Sequence, residues 1–290
     1  MSPNKSPNPL FSPVVLVVIA VLLWSTGGLF IKLTTLDAYQ VTFFRSLLAG
    51  LTVLLITRRN GLRINWFGIM ASIIYATLLI LFVWATKHTT AANAIFLQYT
   101  APVYILILAP FVIGEKFHLS DLITIIFCIG GMSLFFVGKL EISDYQGNLM
   151  ALGSGIFLGL YIMLLRHPRA KGMNPTITVI YGNFLLALVT LPSGIAAIAT
   201  ITWLDAAAVG FLGIFQIGIS YILFIKGVTG GTRPLDASII GFIEPLLNPV
   251  WVFLFVGEQP SNWAILGGAI IIATVVVHTL NQYRTRLIVA

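Results

Sequence analysis

Cysteine and charge are what this chain has least of. Cys128 is the only thiol among 290 residues. A lone cysteine excludes an internal disulfide and any multi-cysteine metal or iron–sulfur site. Its apolar surroundings mark it as a small buried hydrophobe. Charged residues make up 9% of the sequence, where soluble domains carry about 25%. The four histidines, His88, His118, His167 and His278, fall at or near the ends of apolar runs, so Ser154 has no histidine to act as its base. Clustered acids for a metal-bound diphosphate and a buried paired-aspartate site are missing too. The glycine-rich stretches lack the Lys-Ser or Lys-Thr that completes a nucleotide loop. These absences argue against an enzyme, and the sequence implies no cofactor and no metal.

What is present is apolar length. Hydrophobic residues make up 58% of the chain, and the mean hydropathy is +1.00. A chain this size cannot hide that much apolar surface from water, so the fold class is an all-α polytopic membrane protein. A helix needs about 20 apolar residues to cross a bilayer. Ten segments qualify: 14–33, 38–57, 66–86, 91–113, 120–137, 145–165, 175–196, 204–225, 234–256 and 263–282. Their continuous hydrophobicity lacks the alternation of a membrane barrel. The polar, proline-rich residues 1–13 form an N-terminal tail. The first run is too long for a signal-peptide core and has no cleavage site after it, so it reads as a retained helix.

The excess of basic residues, a net charge of +7, sits in short loops and does not signal nucleic acid. It sets orientation instead. The termini and even-numbered loops hold twelve lysines and arginines, the odd-numbered loops hold three, and Arg45 alone lies inside a span. Both termini are therefore expected in the cytoplasm, with the protein in a bacterial inner membrane.

Two stretches correspond. Residues 241–258 read GFIEPLLNPVWVFLFVGE, and residues 98–115 read QYTAPVYILILAPFVIGE. A shift of 143 positions places Pro102 on Pro245, Gly114 on Gly257 and Glu115 on Glu258. The unit between them has five spans. An odd number inverts the second copy, giving two inverted five-helix repeats, 14–138 and 139–282, followed by a tail at 283–290. Inverted repeats with interrupted helices at the midplane characterise alternating-access transporters. Pro102 and Pro245 are the expected hinges.

The chain resembles the drug/metabolite transporter superfamily, and within it the ten-span EamA-type exporters. The carriers of the resemblance are Trp24-Ser25-Thr26-Gly27-Gly28 with Lys32, then Phe43-Phe44-Arg45 and Leu48-Ala49-Gly50. Ala91, Ala92, Ala94, Pro102 and Gly114-Glu115 follow, and Ala237-Ser238, Glu244-Pro245 and Gly257-Glu258 echo them. The overall likeness is greatest to YddG-type exporters of aromatic amino acids. The resemblance implies a central cavity lined by the third, fourth, eighth and ninth spans, with help from the first, second, sixth and seventh. Gly182 stands near where Arg45 would repeat, so any role of Arg45 is asymmetric.

Candidate substrate-binding residues are Trp24, Tyr75, Gln98, Tyr99, Gln216, Tyr221, Glu244 and Asn248. Glu244 and Asn248 are four apart and share a helix face; a carboxylate there can bind an ammonium or carry a proton. Tyr75 and Gln216 coincide when the third and eighth spans are overlaid. Tyr161, Tyr181, Phe242 and Trp251 add aromatic surface that could grip a bound ring. Arg45 lies about 10–12 Å below the end of its span and reads as a structural pin or as a holder of a substrate carboxylate. Glu115 and Glu258 read as helix-end residues. Gly153, Gly155, Gly159, Gly267 and Gly268 read as packing faces.

The function expected is export of amino acids, aromatic or otherwise hydrophobic, and related small metabolites, by uniport and as a monomer in membrane lipid. A proton-coupled antiporter using Glu244 is the alternative, weakened by the lack of any carboxylate in the first span. A channel or an intramembrane enzyme are the non-transporter readings.

Overall fold

A computed structural model describes residues 12–134, 137, 145–256 and 261–289; of residues 91, 92, 248, 249, 252, 253, 256 and 283–289 it gives the backbone only. The described residues are helical and contain no strand. Among the described residues, seven helical stretches are long and apolar enough to cross a membrane, or eight if one bent pair counts as a span. Seven or eight of the ten segments expected from the sequence thus meet the length and composition of a span among the described residues. The difference lies in broken and short helices, not in loss of helix: the fifth segment, for example, is the shorter apolar helix Leu119–Leu134.

The order is α1 (Pro13–Trp24), α2 (Gly27–Leu33), α3 (Ala38–Thr57), α4 (Trp66–His88), α5 (Ala91–Gln98) and α6 (Ala101–Val112). Next come α7 (Leu119–Leu134), α8 (Tyr145–Leu164), α9 (Ile177–Val189), α10 (Leu191–Ala197) and α11 (Trp203–Phe211). A π-helical turn, Leu212–Ile219, then leads into α12 (Ser220–Thr229), α13 (Pro234–Ile240), α14 (Ile243–Val256) and α15 (Asn262–Val289). α4 packs between α8 and α9, α3 lies on α9 and the π turn, α1 pairs with α12, and α7 pairs with α15.

Caps set the starts. Asp37 and Gln40 form a capping box on α3, as Thr202 and Asp205 do on α11. Each satisfies amide donors that the first turn leaves open. Asp205 also accepts from the Thr35 amide at 2.7 Å and hydroxyl at 2.9 Å, which fixes α11 to the end of α2. Lys32 donates to the Thr89 carbonyl at 2.9 Å, and Lys87 to the Thr34 carbonyl and hydroxyl at 3.1 Å.

The breaks have local causes. Ser25 and Thr26 each bond back to a carbonyl three residues earlier, at 2.7 Å, between α1 and α2. Thr100 does the same to Leu97 between α5 and α6. α9 and α10 meet at 65°. The expected hinges need a small correction. The backbone breaks at residues 99–100 and 241–242, and Pro102 and Pro245 sit in the first turn of the helices that follow. A first-turn proline sacrifices no helical hydrogen bond, so these prolines start the second halves of the broken helices.

Glycines let other elements close on the broken backbone. A Cβ on Gly155 would stand 2.7 Å from the Gln98 carbonyl oxygen, and one on Gly159 would stand 3.1 Å from that of Ala101. α8 thereby covers the α5–α6 break, in keeping with the packing role expected of these glycines.

Glu115, expected only to end a helix, joins an ionic cluster. Arg233 bonds Asp121 at 2.9 Å and also lies against Glu115 at 3.7 Å and Asp236 at 3.6 Å. His278 bonds Asp236 at 3.0 Å. The cluster ties the start of α7 to α13 and α15. Lys139, Gly257 and Glu258 lie outside the described residues.

Gly155→Val should lower stability by about 1–3 kcal/mol, the usual cost of overpacking. Gly130→Ala, with nothing within 4 Å of its Cβ, should stay within about 1 kcal/mol of wild type. Thermal midpoints in detergent compare them.

Candidate functional site

The breaks converge on one buried polar cluster. Gly241 allows the first contact: a Cβ there would lie 2.7 Å from Tyr99 Cε1. With that space open, the Tyr99 ring lies across the α13–α14 break and beside Phe242, with ring centroids 5.6 Å apart. Its hydroxyl donates to Glu244 Oε2 at 2.6 Å. Two broken helices thus meet through one short, buried hydrogen bond.

Arg45 comes from the other side. Its side chain is fully buried, and its Nη2 reaches only the Leu79 carbonyl, at 3.4 Å. Its Nε and Nη1 make no hydrogen bond. Among the described residues no carboxylate forms a salt bridge with it. The π turn packs directly on its backbone, because Gly213 brings that turn to within 2.8 Å of the Arg45 carbonyl, measured from a built Cβ. π turns of this kind occur often at functional sites. This one carries Gln216, whose buried Oε1 also lacks a partner.

Arg45, Gln98, Tyr99, Gln216, Tyr221 and Glu244 line a single small cavity together with Trp24. Leu78, Leu79, Phe82, Leu158 and Ile217 complete its walls. Its volume is about 30 Å³, which is roughly the space one water molecule occupies in the liquid. Trp24 Nε1 donates to Ser220 Oγ at 2.8 Å, and Gln98 Nε2 to Ser154 Oγ at 2.7 Å. Both polar side chains are held in place by α12 and α8.

Of the sequence-expected residues, the structure brings Trp24, Gln98, Tyr99, Gln216, Tyr221 and Glu244 together. Tyr75 does not line the cavity but packs on Tyr221 at 4.9 Å. Asn248 lies on α14, and its side chain is outside the described residues. Tyr181 is exposed and bonds the Leu62 carbonyl, so it adds nothing to the site. Trp251 is turned toward Ser25, to which its Nε1 donates at 3.0 Å. Sequence reasoning missed the wall residues Leu78, Leu79, Phe82, Leu158 and Ile217, whose apolar side chains carry no signal. Arg45, read from its intramembrane charge as a structural pin or as a holder of a substrate carboxylate, also lines the cavity.

Comparison with known proteins decides the family. The EamA-like transporter family model matches residues 11–137 and again residues 145–280. The chain belongs to the EamA-like transporter family. It is accordingly a multi-pass membrane transporter. An "uncharacterized transporter" of Archaeoglobus fulgidus is 25% identical to this EamA-like chain, over 90% of it and 94% of the relative. The pseudopaline exporter CntI of Pseudomonas aeruginosa is 24% identical over 91% and 94%. A probable terminal-alkyne amino-acid exporter of Streptantibioticus cattleyicolor is 22% identical over 69% of each chain. One solved crystal structure shares the fold with a TM-score of 0.77, covering 92% of this chain and 97% of its own at 19% identity.

Tyr99→Phe removes the donor to Glu244 and should cost about 1–3 kcal/mol. In the EamA-like chain carrying Glu244→Gln as well, the two losses should not add, because the second change acts on the same bond. Thermal unfolding of the four proteins in the cycle measures the coupling; additive losses would mean the bond contributes nothing.

Proposed function

We propose that the protein exports amino acids, aromatic or other hydrophobic ones first, by alternating access at the central cavity. Arg45 takes the substrate carboxylate and Glu244 its ammonium. The observation that carries this reading is the shared cavity itself: a buried guanidinium with two unpartnered nitrogens and a buried carboxylate line the same small space. A buried cation without a partner is expensive, and a zwitterion offers the missing anion at one end and a cation at the other. The aromatic side chains of Trp24, Tyr99, Phe82 and Tyr221 suit an apolar or aromatic substrate tail. The two relatives described as exporters favour outward transport.

Two inverted five-helix repeats, 14–138 and 139–282, fit this mechanism, and the paired family matches at 11–137 and 145–280 support them. The bent α9–α10 pair, the broken α13–α14 helix and the shorter α7 supply the further crossings of a ten-span chain with both termini in the cytoplasm. Pro102 and Pro245 act as hinges by holding the starts of α6 and α14 rigid beside the flexible breaks. The space of about 30 Å³ belongs to a closed conformation, so substrate binding has to widen it.

Charge favours uniport over proton antiport. The zwitterion is neutral overall, and Arg45 with Glu244 is neutral too, so the loaded carrier moves without added net charge. Glu244 also has a fixed donor in Tyr99, which steadies a carboxylate. YddG-like preference for aromatic amino acids is the finer expectation. Uptake of radiolabelled aromatic amino acid into proteoliposomes should therefore be unaffected by a pH gradient or a membrane potential. Arg45→Gln and Glu244→Gln should each lower Vmax/KM by roughly tenfold or more, the worth of a hydrogen bond to a charged group. Arg45→Gln should spare the corresponding decarboxylated amine. Strict dependence on a pH gradient would replace uniport with antiport through Glu244, and unchanged transport in both variants would return both charges to structure.

A further inference from the structure

A second, larger space lies next to the central site, on the side of the bundle that carries Arg166 and Lys171. It is a cavity of about 560 Å³ beneath the connection between α8 and α9, within the usual size of small-molecule sites. Its rim holds two cations, Arg166 and Lys171, and no carboxylate is among its lining residues. The Val228 carbonyl accepts from Arg166 Nη1 at 3.2 Å and so fixes the guanidinium at the mouth. Glu115 lies within electrostatic reach of Arg166 outside the cavity. The walls include apolar Phe67, Ala71 and Ile177, and the floor is made by Tyr161 and Thr178.

Three tyrosines separate this cavity from the central one. Tyr161 faces the large space and Tyr221 faces the small one. Tyr75 packs on both, at 5.0 Å and 4.9 Å. All three are buried. Two of them are fastened to α9: Tyr161 and Thr178 share a hydroxyl–hydroxyl bond of 2.9 Å, and Asn183 Nδ2 donates to the Tyr75 hydroxyl at 3.1 Å. Gly182 lies between these anchors, and a Cβ there would stand 2.6 Å from Tyr75 Cδ1. α9 ends at the 65° bend into α10. A small tilt of α9 therefore moves two tyrosines of the partition together.

We propose that this cavity is a docking vestibule for substrate carboxylates, received by Arg166 and Lys171, and that Tyr161, Tyr75 and Tyr221 form the partition between it and the central site. The vestibule takes the same class of substrate as the central site, a monocarboxylate with an apolar tail, and in that respect rests on the function proposed above. The partition does not. Its function is to keep the two spaces from opening to each other until α9 moves. A gate of this kind needs a bistable contact rather than a strong one, and ring packing with two hydroxyl anchors meets that need.

The test has two arms. In the first, Leu79→Cys reports on the central site in a chain carrying Cys128→Ala, in sealed membrane vesicles of known sidedness. A membrane-impermeant thiol reagent is added to one face at a time, with Lys171→Cys marking the vestibule face. Tyr161→Ala should speed labelling of the Leu79→Cys reporter about tenfold, or about 1.4 kcal/mol in the opening equilibrium, from the vestibule face only. Gly182→Ala, which displaces Tyr75 without removing a ring, should act in the same direction. No change in either variant, or an equal change from both faces, would overturn the partition. In the second arm, Arg166→Gln with Lys171→Gln should raise KM for the amino acid by roughly tenfold, the scale of attraction into a charged cleft. Vmax, and transport of the decarboxylated amine, should stay unchanged. An equal loss for both substrates would overturn the carboxylate role. A wild-type protein that moves no amino acid would refute the function proposed above, while the labelling arm would still decide the partition.

Discussion

A guanidinium buried in an apolar bundle, with no salt bridge to a carboxylate among the described residues, is the constraint around which this protein is arranged. Charges at bilayer depth are tolerated when they face a protein interior and find partners. Arg45 is fully buried and reaches one carbonyl at 3.4 Å. The surrounding structure leaves its Nε and Nη1 without a hydrogen bond, and its side chain lines the central cavity. Glu244, which lines the same cavity, has a firm donor in Tyr99. The asymmetry matters: one side chain has a firm partner within the protein, and the other keeps two nitrogens without one.

The irregular backbone follows from the same requirement. A straight helix spends its amides and carbonyls on itself and presents only side chains. Breaking α5 from α6 and α13 from α14 frees the chain to bring Tyr99 and Glu244 face to face. Irregular backbone at membrane depth is viable only where protein covers it or a cavity takes its polar groups. Gly155 and Gly159 provide that cover for the first break, and Gly241 makes room for the Tyr99 ring at the second. The π turn plays a matching part on the opposite side, where Gly213 lets it rest on the backbone of Arg45. Packing glycines and polar site residues are thus one system, because each glycine allows an approach that positions a site side chain.

Much of this was legible in the sequence. Long apolar runs fixed the class, and a costly acid beside a proline pointed to Glu244. The matched prolines located the breaks to within three residues, since proline marks where a helix can start as well as where it is interrupted. Three things were hidden. The environment of Arg45 depends on which carboxylates the fold brings near it, and no local pattern reveals that none forms a salt bridge with it. Tyr161, Tyr181 and Tyr221 are alike as residues, yet the fold places one on a cavity floor, one on the surface and one on the central wall. Glu115 looks like a helix end because its ion-pair partner, Arg233, is over a hundred positions away. Burial and distant pairing decide each case, and single-sequence periodicity records neither.

The central claim is that Arg45 and Glu244 hold the two ends of one zwitterion. Equilibrium binding to the purified wild-type protein tests it most directly, with an aromatic amino acid compared against its amide, its decarboxylated amine and its N-acetyl derivative. Loss of either charged end should weaken binding by roughly tenfold or more, the worth of one hydrogen bond to a charged group. Equal affinity for the amino acid and all three analogues would contradict the claim.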